Sequence, residues 1–316
     1  MSNHENELHA LDDAARAGWL YYVGGKTQDE IAKTLGVSRQ RAQRLVSRAV
    51  SEKLVRVRLE HPISDLMELS SALKAKYGLK RMRVAPDIGL DGNLASVAPF
   101  AALVLESILA AKESKTIAFG TGRALRATIE AMPRMTCEHH KLVSLIGNIA
   151  PDGTASFYDV IMRIADIVRA PHYPLPTPVI AETEEERDTY MSLKPVKQVL
   201  DFASKADAIF VGIGQFDESA PMRVDGFISD HEWNDLRNQN AVGEIVGNIF
   251  DHDGNYVESS LSNRITSSRF LATEHNLCIG IASGTRKIPA IRAALKGKLI
   301  NGLVTDEPTA RALLAD

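Results

Sequence analysis

Between Arg39 and Arg48 the chain concentrates side chains built for paired hydrogen bonds: Arg39, Gln40, Arg41, Gln43, Arg44 and Arg48. Arg offers a planar fork of donors that fits the O6 and N7 edge of guanine, and Gln pairs in the same way with adenine. Arg39, Gln40, Gln43 and Arg44 therefore read as base contacts, with Lys33, Arg41 and Arg48 as contacts to phosphate. A second chemistry lies in Phe119-Gly120-Thr121-Gly122-Arg123-Ala124-Leu125, where an apolar run passes through two glycines into a helical pattern. Glycine lets the backbone approach a ligand, a helix N-terminus presents free N–H groups, and Thr121 and Arg123 add donors. Such a loop suits a phosphate or a polyol. It is not a Walker loop, lacking the Gly-Lys-Ser/Thr ending, and it lacks a complete GxGxxG.

Other glycine-ended runs carry weaker versions of that chemistry. They are Gly147-Asn148 followed by Asp152-Gly153-Thr154, then Gly212-Ile213-Gly214-Gln215, then Ser283-Gly284-Thr285-Arg286-Lys287. Sugar hydroxyls need amide and carboxylate partners, for which Asn148, Gln215, Asp251 and Asp253 qualify, while Arg286 or Lys287 suits a phosphate. The expected effector site therefore takes Gly120, Thr121, Gly122, Arg123, Ala124, Leu125, Asn148, Gln215, Asp251, Gly284 and Lys287. Asp251-His252-Asp253-Gly254-Asn255 resembles half of a calcium loop, but Ser262 stands where the twelfth-position glutamate belongs, so a turn is expected. The histidines show no metal-ligand spacing, and Cys137 and Cys278 have no CxxC partner, so neither a metal site, a cofactor nor a disulfide framework is expected.

An Arg-rich amphipathic helix on its own is only a solvated face; the order of the elements around it decides otherwise. Ala14 to Val23 has helical spacing and closes at Gly24-Gly25. Thr27 precedes Glu30 by three residues, a capping box that starts a second helix at Gln28, with Ile31, Ala32 and Leu35 on its apolar face. Gly36 ends that helix, Val37 reads as a buried plug, and Ser38 caps a third helix whose inner side carries Ala42, Leu45, Val46, Ala49 and Val50. Helix, glycine turn and helix is the geometry that lays a second helix in the major groove, with Thr27, Gln28 and Ser38 beside the DNA. Leu54-Val55-Arg56-Val57-Arg58-Leu59 alternates as a strand, a wing with its arginines toward the backbone.

Charge follows the same division. From Gly24 to Glu60 nine Lys and Arg face four Asp and Glu, whereas from His61 onward 27 basic residues face 32 acidic ones. A basic reader thus leads an acidic body. Pro62 ends the wing, and Ile63, Leu66, Leu69, Leu73 and Tyr77 recur at helical spacing, a stripe for the protein's own core or for a partner helix. Beyond Leu79, strand-like runs at Arg81 to Ala85, Thr116 to Phe119, Leu142 to Ile146, Ala208 to Ile213 and Cys278 to Ala282 alternate with amphipathic helices, the pattern of a mainly parallel α/β sheet. Pro171, Pro174, Pro176 and Pro178 make a stiff extended segment, expected at the pocket rim, and Glu182 to Asp188 reads as exposed. The expected organisation is a DNA-binding unit over 1–60, a connector helix over 61–78 with a possible role in oligomerisation, and an effector domain over 79–316. No apolar run reaches the length of a membrane span and the first residues are no signal peptide, so a cytoplasmic protein with no membrane partner is expected.

Taken in order, these segments resemble the SorC family of sugar-responsive bacterial regulators, sometimes grouped with one branch of the DeoR regulators. The resemblance rests on Thr27 to Val50, Gly120 to Arg123, Gly212 to Gln215, Gly247-Asn248-Ile249-Phe250-Asp251-His252-Asp253-Gly254, and Ala282 to Lys287 with Val304-Thr305-Asp306-Glu307. Trp19-Leu20-Tyr21-Tyr22 and Ser38 to Leu45 look like the branch tied to sugar-alcohol catabolism. The resemblance implies a Rossmann-like effector domain similar to ribose-5-phosphate isomerase and glucosamine-6-phosphate deaminase. It also implies a homodimer or homotetramer on operator DNA, tuned by a small sugar, polyol or sugar phosphate. In members that take phosphorylated sugars the loop matching Gly120 to Arg123 is richer in Ser and Thr, so both a polyol and a phosphorylated sugar stay open. The alternative is a sugar-phosphate isomerase or deaminase with an accessory DNA-binding segment, for which Asp251, Asp306 and Glu307 offer a general base. A metabolic isomerase has no use for a helix-turn-helix, which favours the regulator.

Overall fold

The computed structural model describes residues 3–55, 64–150, 153–154, 160–269 and 272–315. It divides into two units, Met1–His61 and Pro62–Asp316, taken in turn.

The first unit is three helices, α1 (Asn3–Tyr22), α2 (Gln28–Leu35) and α3 (Arg39–Ser51). The capping box forms as expected: the Thr27 N–H donates to the Glu30 carboxylate at 2.8 Å, and the Glu30 N–H to Thr27 Oγ1 at 3.4 Å. Gly36 takes the left-handed conformation at φ 66°, and Ser38 Oγ accepts the Arg41 N–H at 3.2 Å. Ala14, Ala17, Ile31, Ala32, Ala42, Leu45, Val46 and Ala49 close one small core. Helix α1 begins earlier than the expected Ala14, at Asn3. Val37 is half-buried rather than a full plug, and Val50 is exposed because the inward stripe of α3 ends its turn at Ala49. Gly18 has a role the sequence did not reveal: a Cβ there would lie 2.7 Å from Ala49 Cβ, so its absence sets the approach of α1 to α3. Of the expected wing, Leu54 and Val55 form a bend, and 56–59 lie outside the described residues.

The second unit runs α4 (Ser64–Tyr77), β1 (Arg81–Ala85), α5 (Leu94–Leu109), β2 (Thr116–Phe119), α6 (Arg123–Ala131), β3 (Lys141–Ile149), α7 (Ile161–Val168) and β4 (His172–Pro178). It continues with α8 (Glu184–Ser192), α9 (Lys194–Ser204), β5 (Ala208–Gly212), β6 (Gly214–Gln215), α10 (Pro221–Val224) and α11 (Asp230–Asn238). The last elements are β7 (Ala241–Ile245), β8 (Asn248–Asp251), β9 (Leu277–Ile281), α12 (Ile288–Lys296), β10 (Gly302–Asp306) and α13 (Glu307–Leu314). Seven strands form one parallel sheet in the order β1-β10-β9-β5-β2-β3-β4, and β6-β7-β8 form a small antiparallel sheet.

Strand alternation builds two cores. Ile117 and Phe119 face α5, α6 and α7, while Ala118 between them faces α4, α9, α12 and α13. The stripe ahead of β1 resolves as intramolecular packing: Leu66 and Leu73 are buried in the core of this unit, and Lys76 and Tyr77 donate to the Leu313 carbonyl at 3.0 and 3.1 Å. A third core, around Trp233, Phe216 and Ile249, joins α11 to the antiparallel sheet. The proline-rich segment is the edge strand β4, where missing N–H groups cost least.

Strand order fixes where a ligand can sit. From β2 the chain steps outward to β3 and β4, then returns to the other side of β2 for β5, β9 and β10. The direction reverses between β2 and β5, and in open α/β sheets ligands bind in the crevice beyond the carboxyl ends of strands at that point.

Candidate functional site

In the first unit α3 presents one polar face. Gln40, Gln43, Arg44 and Ser47 recur at helical spacing and are exposed, opposite the buried stripe. Arg39 pairs with Asp29 at 3.4 Å, Arg41 with Asp13 at 3.7 Å and Arg48 with Glu52 at 3.5 Å, while Arg44 has no ion-pair partner among the described residues. These exposed pairs are worth little in water and yield readily to a phosphate. Thr27 and Ser38 spend their hydroxyls on capping, and Gln28 opens α2. Arg39, read from the sequence as a base contact, pairs with Asp29 on α2, and Gln40, Gln43 and Arg44 form a contiguous exposed face.

In the second unit a cavity of about 270 Å³ opens at the switch point. Its walls come from the loop after β2 (Thr121, Gly122, Arg123, Ala124), the end of β5 and all of β6 (Gly212 to Gln215), and Ser283 and Lys287 after β9. Gly122 takes φ 121° and leaves the N-terminus of α6, whose first residues line the cavity, without a side-chain cap. Gly92, Leu94, Ile146, Val179, Pro221, Met222 and Phe227 supply the apolar side. Gln215 Oε1 and Ser283 Oγ are buried in this wall with no hydrogen-bond partner among the described residues. Buried polar atoms without partners are rare because each forfeits its hydration.

Glu244, which sequence reasoning missed, enters from β7. Its Oε2 accepts the Gly247 N–H at 3.0 Å, and its side chain lies against Gly214, where a Cβ would fall 2.5 Å from Oε1. Val246 and Gly247 turn β7 into β8 with φ 54° and 78°. A positive φ at a β-branched residue is strained, and here it holds the turn that carries Gly247 to the cavity. Burial pushes the Glu244 carboxyl up, against the opposing pull of the Gly247 N–H and Lys287. Burial likewise pushes the Lys287 ammonium down despite Glu244, and Arg123 adds repulsion; Lys287 Nζ donates to the Ile213 carbonyl at 2.7 Å.

Of the expected effector residues, Thr121, Gly122, Arg123, Ala124, Gln215 and Lys287 come together around the cavity. Gly120 lies behind it against Val246, and Leu125 is core. Gly284 backs the wall, donating its N–H to Thr309 Oγ1 at 2.9 Å. Asn148 sits on β3 outside the lining, and Asp152 is outside the described residues. Asp251 holds its own turn, accepting the N–H groups of Asp253 and Asn255 at 2.9 Å each, and Asp253 pairs with Lys296. The carboxylates considered as a general base are similarly engaged: Asp306 caps α13 through the Thr309 N–H, and Glu307 pairs with Arg311.

A helix-turn-helix unit and an α/β body with a switch-point pocket define a ligand-responsive transcriptional regulator. The Sugar-bind family of sugar-binding domains matches residues 61–315, and the MarR family matches 17–62. The chain belongs to the sugar-binding transcriptional regulators of the SorC type. It is similar to the erythritol catabolism regulatory protein EryD of Brucella abortus, 34% identical over 302 residues that span 95% of this chain and 96% of that one. The transcriptional regulator LsrR of Klebsiella pneumoniae is 32% identical over 307 residues, covering 95% and 92%. The crystal structure of the full-length sorbitol operon regulator SorC from Klebsiella pneumoniae matches with TM-score 0.71 at 28% identity, covering 95% of this chain and 97% of that one. These relatives are regulators, and this chain is a regulator rather than an isomerase. No helix among the described residues is long and apolar enough to cross a membrane.

Proposed function

We propose that this protein works in the cytoplasm as a homodimer or homotetramer, controlling a carbohydrate or polyol catabolic operon. The α3 face of Gln40, Gln43 and Arg44 reads operator bases, with Arg39, Arg41, Arg48 and Lys33 on phosphates, and a small sugar, sugar alcohol or sugar phosphate occupies the switch-point cavity. The observation that carries the reading is the pair of unpartnered buried atoms, Gln215 Oε1 and Ser283 Oγ, in that wall. A volume of about 270 Å³ suits a small sugar or polyol, with or without a phosphate. The EryD relative makes a four-carbon polyol the first probe.

Control needs a route from cavity to reader. Helix α4 leads directly into β1, and the loop after β1 reaches the cavity at Gly92. There Asp91 accepts the Thr285 N–H at 2.9 Å and its hydroxyl at 2.7 Å, tying that loop to the wall that carries Lys287. Occupancy is read through this tie, β1 and α4, the helix that follows the DNA-binding unit in the sequence. Only an effector that binds two arrangements unequally can shift them. The test is a thermal-shift series with erythritol, sorbitol and their phosphates. A ligand selective for the folded state raises Tm by mass action, and Gln215→Leu abolishes the rise. A rise that Gln215→Leu leaves intact places the effector elsewhere.

A further inference from the structure

Three elements that reach the cavity wall at one end meet a pair of histidines at the other. Helix α5 begins at Leu94, β2 runs on into Thr121 and β3 carries Ile146, all of them lining residues. Their far ends lie at Leu109, Thr116 and Lys141, beside His139 and His140. His140 is fully buried and both of its ring nitrogens are used. Nδ1 lies 3.1 Å from the Lys115 N–H, just ahead of β2, and Nε2 lies 3.0 Å from the Leu109 carbonyl that ends α5. A backbone N–H only donates and a carbonyl only accepts, so the geometry fixes one neutral tautomer, with a bare Nδ1 and a proton on Nε2. Exposed His139 lies tilted beside it, ring centres 4.0 Å apart, and its Nε2 reaches the Ala111 carbonyl at 2.8 Å. The pair thus takes up carbonyls at the C-terminal end of α5 and ties them to the start of β2. There the Lys141 N–H donates to the Lys115 carbonyl at 2.9 Å, where β3 begins.

We propose that His140 is an acid-sensitive latch at the foot of the effector domain, whose protonation loosens α5, β2 and β3 together and so weakens the cavity at their other ends. The consequence for binding rests on the reading of the cavity as the effector site; the latch itself does not. A proton on Nδ1 sets a second donor against the Lys115 N–H in a place that solvent does not reach, which leaves two buried donors unsatisfied. The charges around the ring are mixed. Lys115 and His139 oppose a proton, whereas Asp207, which accepts the Thr116 N–H at 2.7 Å, favours one. The Cys137 thiol donates to the same Leu109 carbonyl at 3.7 Å, and the Lys141 ammonium sits 4.7 Å over the Phe202 ring. Lys112, Glu113 and Glu138 on the flanking loops are exposed. Burial outweighs the favourable contacts and pushes the His140 imidazole down. With the folded value below the unfolded one, its contribution to stability is complete above the ordinary histidine range of about 6.5 and is lost as pH falls through the folded value.

The melting temperature of the full chain between about pH 7.5 and about pH 5.5 tests the latch. His140→Asn offers an amide oxygen toward the Lys115 N–H, His140→Gln an amide N–H toward the Leu109 carbonyl, and neither titrates. Over that range the wild type is expected to lose at least about 2 °C more than either variant. An equal loss in all three proteins overturns the inference. If both variants misfold, the ring titration of His140 in the wild type, followed by NMR, gives the answer. A ring held as the neutral Nε2–H tautomer at about pH 6 supports the latch, and titration at about 6.5 overturns it. The link to the cavity is read by calorimetric titration with erythritol, which carries no ionising group. Its affinity is expected to fall at least about fivefold in acid for the wild type and to stay within about twofold for His140→Asn. Glu244 and Lys287 are ionisable groups of the cavity itself, so the difference between the two proteins is the readout. Equal acid dependence in both overturns the link. Failure of erythritol, sorbitol and their phosphates to bind at about pH 7.5 overturns the reading of the cavity, while the melting series still decides the latch.

Discussion

Single side chains divide the labour in both units. On α3, Arg44 is exposed, has no ion-pair partner among the described residues and lies one turn beyond Gln40, whereas Arg48 is shared with Glu52. Arg44→Ala is expected to lower binding to the cognate operator by about 1–3 kcal/mol and to relax base preference. Arg48→Ala is expected to weaken specific and random DNA alike, and fluorescence anisotropy on both duplexes separates the two. In the cavity, Glu244 ionises less readily in the folded chain than in the unfolded one because burial raises its pKa. Its contribution to stability is therefore complete below the ordinary carboxylate range and is lost as pH rises through the raised folded value. The Tm of Glu244→Gln should gain on the wild type as pH climbs from about 4 to about 7. A constant offset across that range would mean that Glu244 titrates as an ordinary exposed acid.

At the scale of elements, legibility followed sequence distance. The capping box, the glycine that ends α2 and the loop from Gly120 to Arg123 are chain-local, each encoded in a few consecutive residues, and each formed as read. Asp251 was offered as a hydroxyl partner on its residue type; it ends β8 of the antiparallel sheet, outside the cavity lining, and serves its own turn. Glu244 was missed because its role comes from a hairpin that folds β7 over the loop after β2, far away in sequence. One sign was available: a single acid inside the apolar run Ala241 to Phe250. Gly18 shows the same limit, since only the approach of α3 gives it a purpose. Gly18→Ala is expected to destabilise the first unit by about 1–3 kcal/mol through overpacking against Ala49. Urea unfolding followed by Trp19 emission in a Trp233→Phe background reads that unit selectively, because the chain has two tryptophans, one in each unit.

For the whole molecule, the division between a basic reader and an acidic body was visible in charge, and the strand order then supplied the site that composition alone could not locate. The two functions must be coupled, and the tie from Asp91 to Thr285 gives that coupling a residue to test. Asp91→Ala is expected to keep effector affinity within a few-fold of wild type while reducing the effector's influence on operator binding, as expected when a coupling free energy of about 1–3 kcal/mol is lost without either site being touched. Calorimetry for the effector and anisotropy for DNA, on the same variant, check both halves of that statement. The central claim is that occupancy of the switch-point cavity sets operator affinity. It is tested most directly by the operator dissociation constant of wild type and Gln215→Leu, each with and without a saturating polyol that binds the wild type. The account predicts a shift of roughly 5- to 150-fold in the wild type and none in the variant. An equal shift in both proteins, or none in the wild type at saturation, would contradict it.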